Sequence, residues 1–365
     1  MATFVLTAEQ EALQRAARGF GRERLPVSHL RRLRDRKDPM RLSREVWMEM
    51  ASLGWAGITI AEEHGGAGLG LVEVGLVAEE LGRTLAPTPL LATSVLGAGA
   101  LAAAPEALRV EVLPEVAAGR RLLALAFEER PRFAPGALAT TARRAGAGWR
   151  LDGEKLHVLD GGAADQLIVA AGEGLYLVDR DAPGLSISPR AMVDSRGAAH
   201  VRLSGVVVPE ARRVGDTASL APLVDRATAV LCAEMLGGLD EVFARTIAYL
   251  KERKQFGVPI GSFQALKHRA AVMFCEVELT RSVVRAALVA LDAGRPDAAA
   301  LVSAAKAKAS DTFVHVAEEA IQLHGGIGVT DELDVGFYLK RARVCELTFG
   351  AAAYHRDRFG RLNGY

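Results

Sequence analysis

Apolar positions divide the chain into three textures. Residues 1 to about 120 repeat them at helical spacing. "LTAEQEALQRAARGFGRERL" opens with Thr7 as an N-cap and Gln10 three residues on, the pairing of a capping box. "SREVWMEMASLGW" and "LVEVGLVAEELGRTL" continue the period, the second stopping before Pro87. Between them "EEHGGAGLG" is a glycine-rich loop, which turns the chain and carries little meaning alone. From 121 to 215 short alternating or continuous apolar runs are separated by Asp-Gly, Gly-Gly, Glu-Gly and Pro-Gly pairs, as in "WRLDGEKLHVLDGGAADQLIVAAGEGLYLVDRDAPGLSISPR". That pattern predicts hairpins closing into a small β-barrel or sandwich. From 216 to 365 the helical period returns in long stretches, "APLVDRATAVLCAEMLGGLDEVFARTIAYLKERKQ" among them, which predicts an antiparallel bundle. The fold class expected is therefore mostly α with a β insert, in three domains at 1–120, 121–215 and 216–365.

Composition narrows the function classes. Half of the residues are apolar and 24% are charged, with a formal net charge of +1. Such a balance gives no long-range attraction to nucleic acid or to an acidic membrane, and Arg31-Arg32-Leu33-Arg34 reads as a solvated helix face. Three cysteines (Cys232, Cys275, Cys345), each alone in its segment, argue against a disulfide framework and a zinc site. Neither a secretory core nor an apolar run of membrane-spanning length is visible. A cytoplasmic protein is expected, without membrane insertion, nucleic-acid partner or metal.

Two segments carry candidate chemistry. "RKQFGVPIGSFQALKH" is a helix end, a Phe-Gly-x-Pro turn and a new helix opening near Ser262, with Arg253, Gln255 and Gln264 around the turn. Arginine suits phosphate because its fork donates paired hydrogen bonds and stays charged. A plain helix–helix corner with an exposed arginine accounts for the same residues. "IQLHGGIGVTDE" places paired glycines after a helix, where they let backbone approach a ligand or simply stop the helix. His324 lacks a second histidine at metal-ligand spacing.

In pairing, order and separation, these two segments resemble those of the acyl-CoA dehydrogenase family. "WMEMASLGWAGITIAEEHGGAGLGLVEVGLVAEELGR", "WRLDGEKLHVLDGGAADQLIVAA" and "VVVPEARRVG" extend the resemblance over nearly the whole chain. It implies an N-terminal helical domain, a middle β-barrel and a C-terminal four-helix bundle. It also implies α,β-dehydrogenation of an acyl-CoA thioester: a glutamate removes the α-proton, FAD accepts the hydride, and an electron-transfer flavoprotein reoxidises the flavin. The FAD would lie across a subunit boundary. The half donated to a neighbour maps onto Arg253, Gln255, Phe256, Gln264, Gln322, Gly325 and Gly326.

The receiving half departs from the family. Phe127-Glu128-Glu129 stands where Thr-Glu-Pro is usual, and His157-Val158-Leu159 where Trp-Ile-Ser/Thr is common. Phe127, His157 and Val158 would then line the flavin. Thr348-Phe349-Gly350-Ala351 replaces Tyr-Glu-Gly-Thr, so Phe349 occupies the usual position of the base. The alternative base position is Ala227; a substrate arginine falls on Thr228, while Asp225 matches an acidic substrate-binding position. Glu346 and Glu234 are the nearest remaining carboxylates in sequence. The expected assembly is a homo-oligomer, or a heteromer with a glutamate-bearing homologue. Two alternatives stand beside the dehydrogenase: a non-catalytic subunit completing a homologue's FAD site, and a flavin monooxygenase on the same fold.

Overall fold

The computed structural model describes residues 5–365 and divides them into two compact units. One comprises residues 31–74 and 87–227 and holds the strands. The other comprises residues up to 30, 75–86 and 228–365 and is built of helices.

In the strand-bearing unit, α3 (Arg44–Ser52) starts on a Ser43 cap whose hydroxyl accepts from Val46 N. α5 (Ala98–Leu101) continues a π-helical turn, Leu90–Gly97, and α6 (Glu106–Ala117) follows. The strands form two four-stranded sheets. β1 (Leu123–Ala126), β4 (Gln166–Ala171), β5 (Gly174–Asp179) and β8 (Arg213–Asp216) lie in that order, with β1 parallel to β4 and the other pairs antiparallel. β2 (Thr141–Ala145), β3 (Gly148–Leu159), β7 (Gly197–Pro209) and β6 (Leu185–Ala191) form the second, wholly antiparallel sheet. Leu151, Val201 and Val206 from one sheet and Leu167, Val169 and Val178 from the other share a single buried core.

This arrangement corrects the expectation of a β-barrel. Closure requires an edge strand of one sheet to hydrogen-bond to an edge of the other, whereas β1, β8, β2 and β6 remain edges. Alternating apolar positions report which side of a strand faces the core; a barrel and a sandwich share that alternation. Two ion pairs hold the loops that bear on the site. Arg44 grips Asp165 with two nitrogens, at 2.6 and 3.1 Å, while Asp165 accepts from Leu122 N at the start of β1. Buried Lys155 on β3 reaches Glu129 at 2.5 Å.

The helical unit begins with α1 (Ala8–Arg24), whose Thr7–Gln10 capping box forms as expected. α4 (Leu71–Arg83) and α7 (Leu220–Glu252) contribute their residues 75–83 and 228–252 to it. There α4 and α7 cross at a glycine on each side. A Cβ at Gly82 would lie 2.1 Å from Glu234 O, and one at Gly237 1.7 Å from Glu79 O, so neither position admits a side chain. Charged residues rim this crossing: Asp240 on α7 accepts from Arg83 and from Arg281, each at 2.6 Å. Arg281 belongs to α8 (Gln264–Asp292), which pairs with α9 (Ala298–His324). α10 (Val335–Leu347) and α11 (Ala352–Leu362) pack on α9 and complete the helical C-terminal part.

Candidate functional site

The Arg253 segment is a tight projection at the end of α7. β9 (Lys254–Gln255) and β10 (Val258–Pro259) pair in a minimal ladder, and Phe256 and Gly257 turn between them with φ of 53° and 80°. Positive φ at both central residues is the hairpin turn that matches strand twist, and is costly for phenylalanine. Ile260 N donates to Arg253 O, closing the projection. Its tip is solvated: Phe256 is 90% exposed and meets Phe263 edge to face at 6.0 Å. Arg253 and Gln255 are exposed, and the Arg253 side chain has no ion pair among the described residues. Gln264, also exposed, opens α8, whose N-cap Phe263 supplies no side-chain acceptor to the first-turn amides.

The Gln322 segment is brought to the same end of the helical unit. Tyr249, one turn before Arg253 on α7, donates its hydroxyl to His324 O at 3.3 Å and stacks on the His324 ring at 4.4 Å. His324 Nδ1 donates to Ala320 O at 2.7 Å, and no metal-ligand cluster occurs among the described residues. Gln322, Gly325 and Gly326 are exposed beside it. Gly325 needs its freedom, with φ of +65° as the cap of α9. Gly326 does not: its φ lies outside the left-handed range and a Cβ there would meet nothing within 4 Å. Nothing among the described residues demands a glycine at 326.

In the strand-bearing unit the altered segments also sit side by side. Leu156 N donates to Glu128 O at 2.7 Å, and the Lys155–Glu129 pair lies next to it. Burial works to raise the Glu129 carboxyl, but hydrogen bonds from Lys155, Thr140 and Ala139 outweigh it and hold it below the usual range. Phe127 is buried just beyond β1, its ring edge-on to Phe133 at 6.5 Å. His157 is exposed at a bulge in β3 with φ of 51°, and Val158, 2% exposed, points into the sandwich core. The sequence reading passed over Glu128. Its carboxyl is pushed up to about 7 by burial, with no ion pair or side-chain hydrogen bond among the described residues. Nothing in the sequence marked it, because Arg130 and Arg132 stand two and four residues on and would be expected to pair with it.

Phe349 lies in the turn between α10 and α11, 1% exposed and at φ of +58°. The turn is held from beneath. Lys306 on α9, itself fully buried, donates to Gly350 O at 2.8 Å, to Glu346 O at 3.0 Å and to Ser310 Oγ at 3.2 Å. His355 Nε2 donates to Phe349 O at 2.9 Å, and burial next to Lys306 pushes the imidazole down to about 4, so it stays neutral. The weak candidate bases are engaged elsewhere. Glu234 accepts two bonds from Arg341, at 3.0 and 3.1 Å, and Glu346 pairs with Arg343 at 2.6 Å. Asp225, Ala227 and Thr228 are all buried on α7.

Known proteins match along the same segments. The profile described as "Acyl-CoA dehydrogenase, N-terminal domain" covers residues 7–120, and that described as "Acyl-CoA dehydrogenase, C-terminal domain" covers residues 224–362. The chain belongs to the acyl-CoA dehydrogenase family. It is thus an oxidoreductase of the FAD-dependent acyl-CoA type. The acyl-CoA dehydrogenase IpdE2 of Mycolicibacterium smegmatis is 35% identical over 290 residues, spanning 80% of this chain and 78% of that one. The acyl-CoA dehydrogenase FadE27 of Mycobacterium tuberculosis is 32% identical over 334 residues, 88% of each chain. Among solved structures, the ChsE4–ChsE5 complex from Mycobacterium tuberculosis superposes with a TM-score of 0.92 at 30% identity over all of both chains. A variant of the Tcur3481–Tcur3483 steroid ACAD gives 0.89 at 35% identity over 97% of each. No described helix of this family member is long and apolar enough to cross a membrane.

Proposed function

We propose that this chain is one subunit of a heteromeric acyl-CoA dehydrogenase, lending half of an FAD site to a glutamate-bearing homologue. The observation that carries this reading is the contrast between two surfaces. Arg253, Gln255, Phe256, Gln264, Gln322, Gly325 and Gly326 are all exposed at one end of the helical unit. Phe349, at the position of the usual base, is buried and carries no proton acceptor. The donated residues suit the group they would hold. A guanidinium without an ion pair and a helix N-terminus without a cap both favour a pyrophosphate, and Gly326 leaves room for backbone approach. Bound FAD would supply the hydride acceptor; Arg253, Gln322 and their neighbours would hold and orient it, and a glutamate of the homologue would take the thioester α-proton. Two of the structural relatives are named as pairs of unlike chains, ChsE4–ChsE5 and Tcur3481–Tcur3483, which supports the heteromer. An electron-transfer flavoprotein is the electron acceptor in this reading. Three cysteines without a disulfide suit a reducing cytoplasm as its location.

Flavin quantitation on the co-expressed pair tests the proposal. One FAD per pair of unlike chains is expected, and a stable homo-oligomer holding one FAD per chain would refute it. In the pair, Arg253→Ala removes a charge-assisted phosphate contact, about 1.5–3 kcal/mol, or roughly 10–100-fold in FAD affinity. Equal retention of flavin by wild type and variant, measured by ultrafiltration, would remove Arg253 from the site.

A further inference from the structure

A second concave site lies wholly within the strand-bearing unit. It is a cavity of about 340 Å³ walled by Thr59–Ala61, His64, the Ala98–Ala102 turn, Arg109 and Leu113 of α6, and Pro222, Leu223 and Arg226 of α7. That volume falls at the small end of ligand pockets.

Its polar groups are built but unmatched. His64 is only 5% exposed, and its Nε2 is buried without a hydrogen bond. The nearest carboxylate, Glu63, stands 3.5 Å away, outside hydrogen-bonding geometry and largely in solvent. Arg109 gives one nitrogen to Glu106, yet its Nε is buried with no acceptor. Arg226, half-buried in the same lining, has neither an ion pair nor a hydrogen bond among the described residues. Buried donors cost free energy unless an acceptor is supplied. All three side chains line one space, and Arg226 has no carboxylate partner among the described residues. The remaining wall is mostly apolar, with Ile60, Ala98, Ala102, Leu113 and Leu223 beside the hydroxyl residues Thr59 and Ser219.

From this geometry we infer that the cavity binds a small organic carboxylate with a compact apolar body. The carboxylate is held by Arg226 and Arg109, with His64 beside it. The guanidinium fork matches the two oxygens of a carboxylate. The apolar wall discriminates against an ion that must keep its hydration, such as inorganic phosphate. The site requires neither flavin nor a partner subunit, so it stands or falls separately from the proposed dehydrogenase assembly.

Benzoate and hexanoate are suitable probes, titrated into the full-length protein by calorimetry or saturation-transfer NMR. Saturable binding of at least one at millimolar concentration or tighter is expected. Arg226→Gln and Arg109→Gln should each weaken it at least about tenfold, and benzyl alcohol and inorganic phosphate should bind at least about tenfold more weakly than benzoate. Ala102→Trp adds bulk at an exposed rim position and should block binding while leaving the circular dichroism spectrum unchanged. Absence of saturable binding by both carboxylates overturns the assignment, as does unchanged affinity in both arginine variants. Phosphate binding as tightly as benzoate would overturn the ligand class.

Discussion

Lys306→Met is expected to destabilise the chain by about 3 kcal/mol. The Lys306 ammonium serves two buried carbonyls, Glu346 O and Gly350 O, and the Ser310 hydroxyl. Methionine fills a similar volume but donates nothing, and each buried acceptor left unsatisfied costs about 1–3 kcal/mol. Relief of a buried charge works the other way, since burial already pulls the Lys306 ammonium below its ordinary range. That relief is decisive when a charge and its partners are replaced together, whereas here the carbonyls remain and the lost bonds dominate. Denaturant unfolding of wild type and variant measures the difference, and a change below about 1 kcal/mol would contradict this role for Lys306. The α10–α11 turn bearing Phe349 would loosen first, so faster hydrogen exchange should be confined to residues around 346–352.

Glu128→Gln should stabilise the protein above neutral pH and leave it unchanged in acid. Burial pushes the Glu128 carboxyl up to about 7 from a model-peptide value near 4.5. A raised carboxyl binds its proton more tightly in the folded state. It therefore contributes stability that is complete below about pH 4.5, declines as the pH rises, and is gone above about pH 7. The span corresponds to about 3 kcal/mol. Glutamine keeps the shape without titrating, so the difference between variant and wild type should grow through that window and level off near pH 8. His355 slopes oppositely: its imidazole is depressed to about 4, and its contribution fades as pH falls from about 6.5. Subtracting the two profiles removes that common slope. A flat difference from pH 4 to 8 would mean that Glu128 is solvated or paired.

Much of the helical architecture was legible because long apolar periods and stop signals coincide in the sequence. The paired glycines after His324 end α9, and the Thr7–Gln10 spacing forms the expected capping box. Closure of the strand region was not legible, since a sandwich and a barrel share the same in–out alternation. Motif spacing singled out the Arg253 and Gln322 segments as candidates. Their meeting depends on Tyr249 touching His324, a contact across the chain that neither segment encodes locally. Lys306 and Glu128 escaped notice for a related reason: a charged residue among alanines or beside another glutamate reads as solvated until tertiary packing closes over it. His64, Arg109 and Arg226 lie far apart in sequence, and only the turn of α5 between α6 and the start of α7 gathers them around one space.

Gly326 offers a way to separate folding from assembly experimentally. The Cβ of an alanine there meets no other described residue within 4 Å beyond its chain neighbours, and it demands no forbidden backbone angle. The isolated subunit should therefore melt as before, while anything that must press its surface against residue 326 would be held off by the width of a methyl group. Most interface residues also support their own fold, which blurs every mutational readout. At this position the two contributions come apart, and a single methyl becomes a spacer inserted between the protein and whatever it receives.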